Sequence, residues 1–177
     1  ALGLDDVVRA YDLDTGEVDS TFGSSGVVTP PEGDRWLRLV ADDADETILV
    51  CGQRSGDGIV LRIDADGGDD DGGYVTSLSS NSVFNALGID NQGRVVAGGH
   101  ASGDVFVLRL GADGAADTTF GPNGLGESTG TSSNEESALD LAVDGADVVV
   151  VGTTIVPNTS QDWFVARWCG TTDASGN

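Results

Sequence analysis

An apolar stretch ending in arginine occurs four times along this chain, as Val7-Val8-Arg9, Val60-Leu61-Arg62, Val107-Leu108-Arg109 and Val165-Ala166-Arg167. Successive arginines stand 53, 47 and 58 residues apart. Such a period constrains the fold more than any local motif, because each period must be one supersecondary unit that buries its apolar face against its neighbours. Other landmarks keep the same phase. An aspartate precedes the arginine segment at Asp57, Asp104 and Asp162, and Gly52, Gly98 and Gly152 close the runs Ile48 to Cys51, Val95 to Ala97 and Val148 to Val151. A turn follows the arginine, as Asp14-Thr15-Gly16, Asp66-Gly67-Gly68 and Asp113-Gly114-Ala115, and then come Asp19, Asp70 and Asp117. Phe22-Gly23 and Phe120-Gly121 lie three residues beyond the first and third of these, while the middle unit reads Gly72-Gly73-Tyr74.

Alternation of apolar and polar residues in Ala138 to Val143, and less cleanly in Trp36 to Val40, is that of half-buried strands. No segment carries a 3.6-residue apolar stripe, and 27 glycines disfavour long helices. The chain is expected to be all-β: one repeat domain over residues 1–177 with units of roughly 9–61, 62–108 and 109–167 and a terminal strand remainder. Each unit reads as four short antiparallel strands, the third ending in Arg. That is a propeller-like repeat of about three blades, whose ring stays incomplete unless more chain or another subunit closes it. Because the chain begins and ends on the same type of strand, it is expected to expose sheet edges and to self-associate or to belong to a longer polypeptide.

The formal charge is −22, from 24 Asp and 6 Glu against 8 Arg and no Lys. Nucleic acid and anionic membranes are therefore poor electrostatic partners. The excess of Asp over Glu favours turns over helix surfaces. Methionine is absent, so Ala1 is expected to follow removal of a signal peptide ending in a small residue, which places the protein outside the cell or at its surface. No apolar run approaches the roughly 18 residues of a membrane span, so no membrane insertion is expected. A lysine-free acidic surface also suits high salt, where self-repulsion is screened.

The run Leu108-Arg109-Leu110 through Asp113-Gly114-Ala115-Ala116-Asp117-Thr118-Thr119-Phe120-Gly121 resembles the bacterial delta-sixty repeat, and Asp14 through Gly23 resembles it as well. The resemblance implies β-propeller blades in large exported or surface proteins, and it implies no common catalytic activity.

One residue per unit at a fixed place is more simply structural than catalytic. Arg9, Arg62, Arg109 and Arg167 are read as partners of in-phase aspartates, Asp19 and Asp117 among them, in preference to a basic ring around an anionic ligand. The best lead to a ligand is aspartate. Asp12-Leu13-Asp14-Thr15-Gly16 and Asp64-Ala65-Asp66-Gly67-Gly68 open like calcium loops, with Asp70 in the acidic run Asp69 to Asp71 close by. Neither has the bidentate Glu of an EF-hand, so a looser calcium site is the alternative to plain turn chemistry.

Catalytic groups are sparse. One histidine, His100, and two cysteines cannot build a zinc site, and without Lys neither Schiff-base nor P-loop chemistry is open. No enzyme is expected. Cys51 and Cys169 are placed at opposite ends of their strands, roughly 20 Å apart, and a bridge between them is not expected. Asn158-Thr159-Ser160 is an acceptor triplet for N-glycosylation, and Trp163, Phe164 and Trp168 are expected to pack between blades. The reading is a non-catalytic structural or interaction module of an exported or cell-surface assembly, with a calcium-dependent carbohydrate- or polymer-binding module as the alternative.

Overall fold

β-branched runs separated by Gly, Asp and Ser turns set the architecture seen in the computed structural model, which describes residues 7–32, 34–44, 46–68, 76–78, 81–121, 124–127, 135–155 and 161–169. No α-helix occurs among these residues. β1 (Val8–Arg9) and β2 (Val27–Val28) form a two-stranded pair. A four-stranded sheet follows, made of β3 (Asp34–Asp42), β4 (Thr47–Arg54), β5 (Asp57–Asp64) and β6 (Thr76–Leu78), hydrogen-bonded in that order. The next has the same order in β7 (Ser82–Ile89), β8 (Val95–Ala101), β9 (Asp104–Leu110) and β10 (Leu125–Glu127). A three-stranded sheet of β11 (Glu135–Asp144), β12 (Asp147–Ile155) and β13 (Gln161–Trp168) ends the series. All pairs between these strands are antiparallel. The described residues form no closed ring.

The arginine segments are β1, β5, β9 and β13, so in each larger sheet they are the third strand, as expected. Each sequence period therefore runs from the third strand of one sheet to the same strand of the next and straddles two sheets. The hairpins β4–β5 and β8–β9 turn on Ser55-Gly56 and Ser102-Gly103, all four with positive φ. Two residues of that conformation give the turn whose twist matches paired strands.

Each first strand bulges at the same place, between Trp36 and Arg38, between Phe84 and Ala86, and between Ala138 and Asp140. Opposite stand Gly52, Gly99 and Gly152, where a Cβ would overlap the carbonyl oxygen of Arg35, Val83 or Ser137. The register thus corrects one alignment read from the sequence. Gly99, not Gly98, is the equivalent of Gly52 and Gly152, and Gly98 occupies the position of Cys51 and Val151. Counting from the end of an apolar run misplaced it by one residue.

The sheets pack face to face, and the core lies between them. Leu49, Cys51 and Val60 of the first sheet meet Phe84, Leu87, Ala97 and Phe106 of the second. The opposite face of the second sheet, with Val96, Val105 and Val107, meets Ala138, Val148 and Val150 of the third. Trp36, Val50 and Ile59 pack on Val8 and Phe22 of the β1–β2 pair. Phe84 and Phe106 meet edge to face with centroids 5.0 Å apart, a geometry that adds to the burial of both rings.

Both cysteines are free, Cys51 buried and Cys169 exposed. Cys51 lies inside β4, not at its hairpin end, and its Sγ is 3.5 Å from the carbonyl oxygen of Phe84. Burial pushes this thiol up to about 12. Alkylation at pH 8 is expected to modify Cys169 alone in the folded chain and both thiols in denaturant, since only a thiolate reacts; peptide mapping that finds Cys51 modified without denaturant would contradict the packing.

Candidate functional site

The repeated arginine is best resolved at Arg109, which is fully buried. Its Nε donates to Asp117 Oδ2 at 2.8 Å, one terminal nitrogen to Thr119 Oγ1 at 3.2 Å, and the other to the carbonyl of Ala146 at 3.3 Å. The guanidinium carbon stands 4.5 Å from the centre of the Phe120 ring. The segment Asp117 to Phe120 therefore wraps the cation with an anion, a hydroxyl and an aromatic face, while Ala146, in the β11–β12 turn, ties it to the next sheet. Asp117 Oδ1 in turn accepts from the amide and hydroxyl of Thr119, at 3.0 and 2.6 Å.

The other arginines use different partners. Arg62 donates to Thr47 Oγ1 at 3.0 Å, and Arg167 is paired with Asp147. Thr47 and Asp147 each lie two residues before the β4 or β12 residue paired with the arginine, Leu49 or Val149. In the second sheet that position is Arg94, two residues before Val96. A cation there cannot accept, so Asp117 serves two arginines: Arg94 reaches it at 3.4 Å and is held mainly by Asp90 at 2.5 Å. In the first unit Asp19 accepts from the amide and hydroxyl of Thr21, at 2.9 and 2.6 Å, and Arg9 is half-buried at the end of β1.

These bonds set the charge states. Burial pushes the Asp117 carboxyl up, but the Thr119 hydroxyl and amide, together with Arg109, outweigh it and hold the group below the usual carboxylate range. Thr21 does the same for Asp19. Because both folded values are depressed, their stabilisation is complete above the unfolded value of about 4 and is lost as pH falls below it. In about 1 M salt, where the Debye length of roughly 3 Å mutes repulsion from the net negative charge, melting temperature is expected to be level from pH 7 to 5 and to fall below pH ~4. A melting temperature that climbs through that acid range would contradict it.

A family model described as "Domain of unknown function (DUF5122) beta-propeller" matches residues 93–120, the stretch from Gly93 through β8 and β9 to Phe120 that contains both Arg109 and Asp117. This is a β-propeller-type repeat. A search of curated proteins finds no match. The sheets are accordingly blades, and the matched stretch runs from the second strand of the middle blade to the turn that wraps its arginine.

The remaining candidates are placed as follows. Asp12 Oδ1 accepts from the amides of Asp14 and Thr15 at 3.0 and 2.8 Å and from Thr15 Oγ1 at 3.0 Å. Those donors hold the Asp12 carboxyl below its usual range, Thr15 foremost. Asp66 Oδ1 accepts from the Gly68 amide at 3.0 Å. Asp12 and Asp14 share one turn, Asp64 and Asp66 another. Among the described residues no group of three or more His, Cys, Asp or Glu is positioned to hold a metal ion. Asp70 and Asn158 lie outside the described residues.

Two groups of polar contacts between blades were not foreseen. Ser137 Oγ stands 3.1 Å from His100 Nδ1 and accepts from Asn85 Nδ2 at 3.1 Å, and Asn85 also reaches the carbonyl of Ala138 at 3.0 Å. Arg38 meets Asp140 at 2.6 Å, joining the first and third blades. Arg38, Ala86 and Asp140 share one register position just after the bulge. Asn85 is the bulge residue itself, so the only sequence signal would have been the bulge, which no residue pattern announces. Trp163 departs from the expected packing and is 79% exposed, whereas Phe164 and Trp168 lie half-buried between the second and third blades.

Proposed function

We propose that the chain is a non-catalytic structural and interaction module of delta-sixty-repeat type, serving in an exported or cell-surface assembly with further copies or further chain as partner. The observation that carries this reading is the engagement of the repeated polar groups within the fold. Arg109 directs its donors at Asp117, Thr119 and Ala146, and the aspartates of the repeat cap their own turns. A guanidinium that is fully buried and bonded in this way to groups of its own fold is not presented to solvent to bind and orient a substrate. The acidic, lysine-free composition supports an exported setting in which solubility comes from net charge.

Calorimetric titration with calcium tests the reading against its alternative. Millimolar calcium is expected to give no saturable heat and no change in melting temperature. A saturable heat with a stabilised fold would replace the proposal with a calcium-dependent binding module, since a ligand of the native state alone must raise its stability. Cell fractionation tests the location, and recovery of the protein solely from cytoplasm would exclude the exported setting.

A further inference from the structure

The third blade shows solvent a face that the two blades before it bury. Strand register fixes the correspondence: Cys51 pairs with Val60, Gly98 with Val107 and Val151 with Val165, and the next pairs along are Gln53 with Gly58, His100 with Val105 and Thr153 with Trp163. Val60 and Val107 are 0% exposed and Val105 1%, whereas Val165 is 72% and Trp163 79% exposed. Val151 and Ile155 continue the same face at 37% and 45%. Scattered exposed hydrophobics are ordinary on a soluble surface, but a contiguous apolar sheet face marks a contact.

The earlier interfaces show what covers such a face. β7 lies across β3, β4 and β5, and β11 lies across β7, β8 and β9. In each case the first strand of the next blade does the covering, through Phe84 and Leu87 in β7 and through Ala138 and Leu141 in β11, an apolar pair separated by the bulge. We propose that the face formed by Val151, Ile155, Trp163 and Val165 is a blade-docking surface. Its occupant is the first strand of a further blade of this repeat, reached from β13 through a fourth strand as β11 is reached from β9 through β10. The inference rests on the module reading above. A second copy of the chain fits less well, because β3, β7 and β11 already have the required face packed within their own chain, and the β1–β2 pair brings no first strand.

The test compares two proteins by acrylamide quenching of Trp163. One is the full chain. In the other, residues 169–177 are replaced by a second copy of residues 111–168, which adds in phase a fourth strand beside β13 and one more blade. Trp163→Phe in the appended copy leaves one Trp163 to read, and a matched protein with Trp163→Phe at both places supplies the background. The full chain is expected to sediment as a monomer with Trp163 freely quenched, and in the extended chain the quenching of Trp163 is expected to fall several-fold with a blue shift. An extended chain that gains strand signal while Trp163 stays equally quenched overturns the proposal. So does one that gains no strand signal, since a surface built to receive this blade would order it. Concentration-dependent association of the full chain that Trp163→Lys abolishes would assign the face to a second copy and overturn it as well. None of these failures touches the module reading, which falls instead to a saturable calcium heat.

Discussion

Replacing Arg109 with alanine is expected to lower the melting temperature by roughly 6–12 °C, the equivalent of about 3 kcal/mol. Two effects compete in that figure. Removing one partner of a buried ion pair strands the other, which generally costs about 3–5 kcal/mol. Here Asp117 keeps the two Thr119 donors and has Arg94 3.4 Å away, which places the loss at the lower end. The ring of Phe120 also loses its cation, and the turn at Ala146 loses its tie to the second blade. Arg109→Lys is expected to recover only part of the loss, because an ammonium cannot reproduce the planar fork that meets Asp117, Thr119 and Ala146 together. Arg167→Ala is the control. That side chain is 58% exposed, and a solvent-screened pair contributes little. Thermal melts of the three variants decide the matter: equal losses at Arg109 and Arg167 would mean that the buried clip does not hold the blades together.

Gly99→Ala is expected to destabilise the chain by about 3 kcal/mol, the upper end of what overpacking a tight site costs. The new Cβ would overlap the Val83 carbonyl oxygen and crowd the Phe84 backbone. These are backbone atoms of the bulge and cannot swing aside as a side chain would. Gly145→Ala separates crowding from conformational strain. Gly145 also adopts a positive φ, of 64°, but nothing lies within 4 Å of a Cβ there, so the loss is expected to be about 1 kcal/mol, the cost of a left-handed residue. Denaturant unfolding that ranks the two substitutions in the opposite order would show that the bulge yields. Gly98→Ala discriminates further, because its Cβ would meet side-chain carbons of Leu141, Ala138 and Ala86 at 3.3–3.6 Å rather than backbone. The smaller loss expected there would confirm that Gly99 holds the position shared with Gly52 and Gly152.

Sequence alone determined the period, the all-β class, the arginine on each third strand and the turns that follow it, because these depend on local chemistry repeated in phase: β-branched runs, Asp and Gly at turns, and an Arg-to-Asp spacing of 8 residues from Arg109 to Asp117. The partner of each arginine was only partly legible. Asp117 lies on the same strand-turn segment and could be anticipated, whereas Asp147 for Arg167 and Thr47 for Arg62 are brought in by strand register, which local pattern does not encode to the residue. Tertiary structure decided what depends on one blade meeting another. It placed Gly99 rather than Gly98 opposite the bulge, aimed Asn85 at Ser137 and Ala138, and joined Arg38 to Asp140 across 102 residues. The same reason accounts for Trp163. A residue that alternates like a core position is buried only if a neighbouring sheet arrives to cover it, and whether one arrives is a property of the assembled blades, not of the strand.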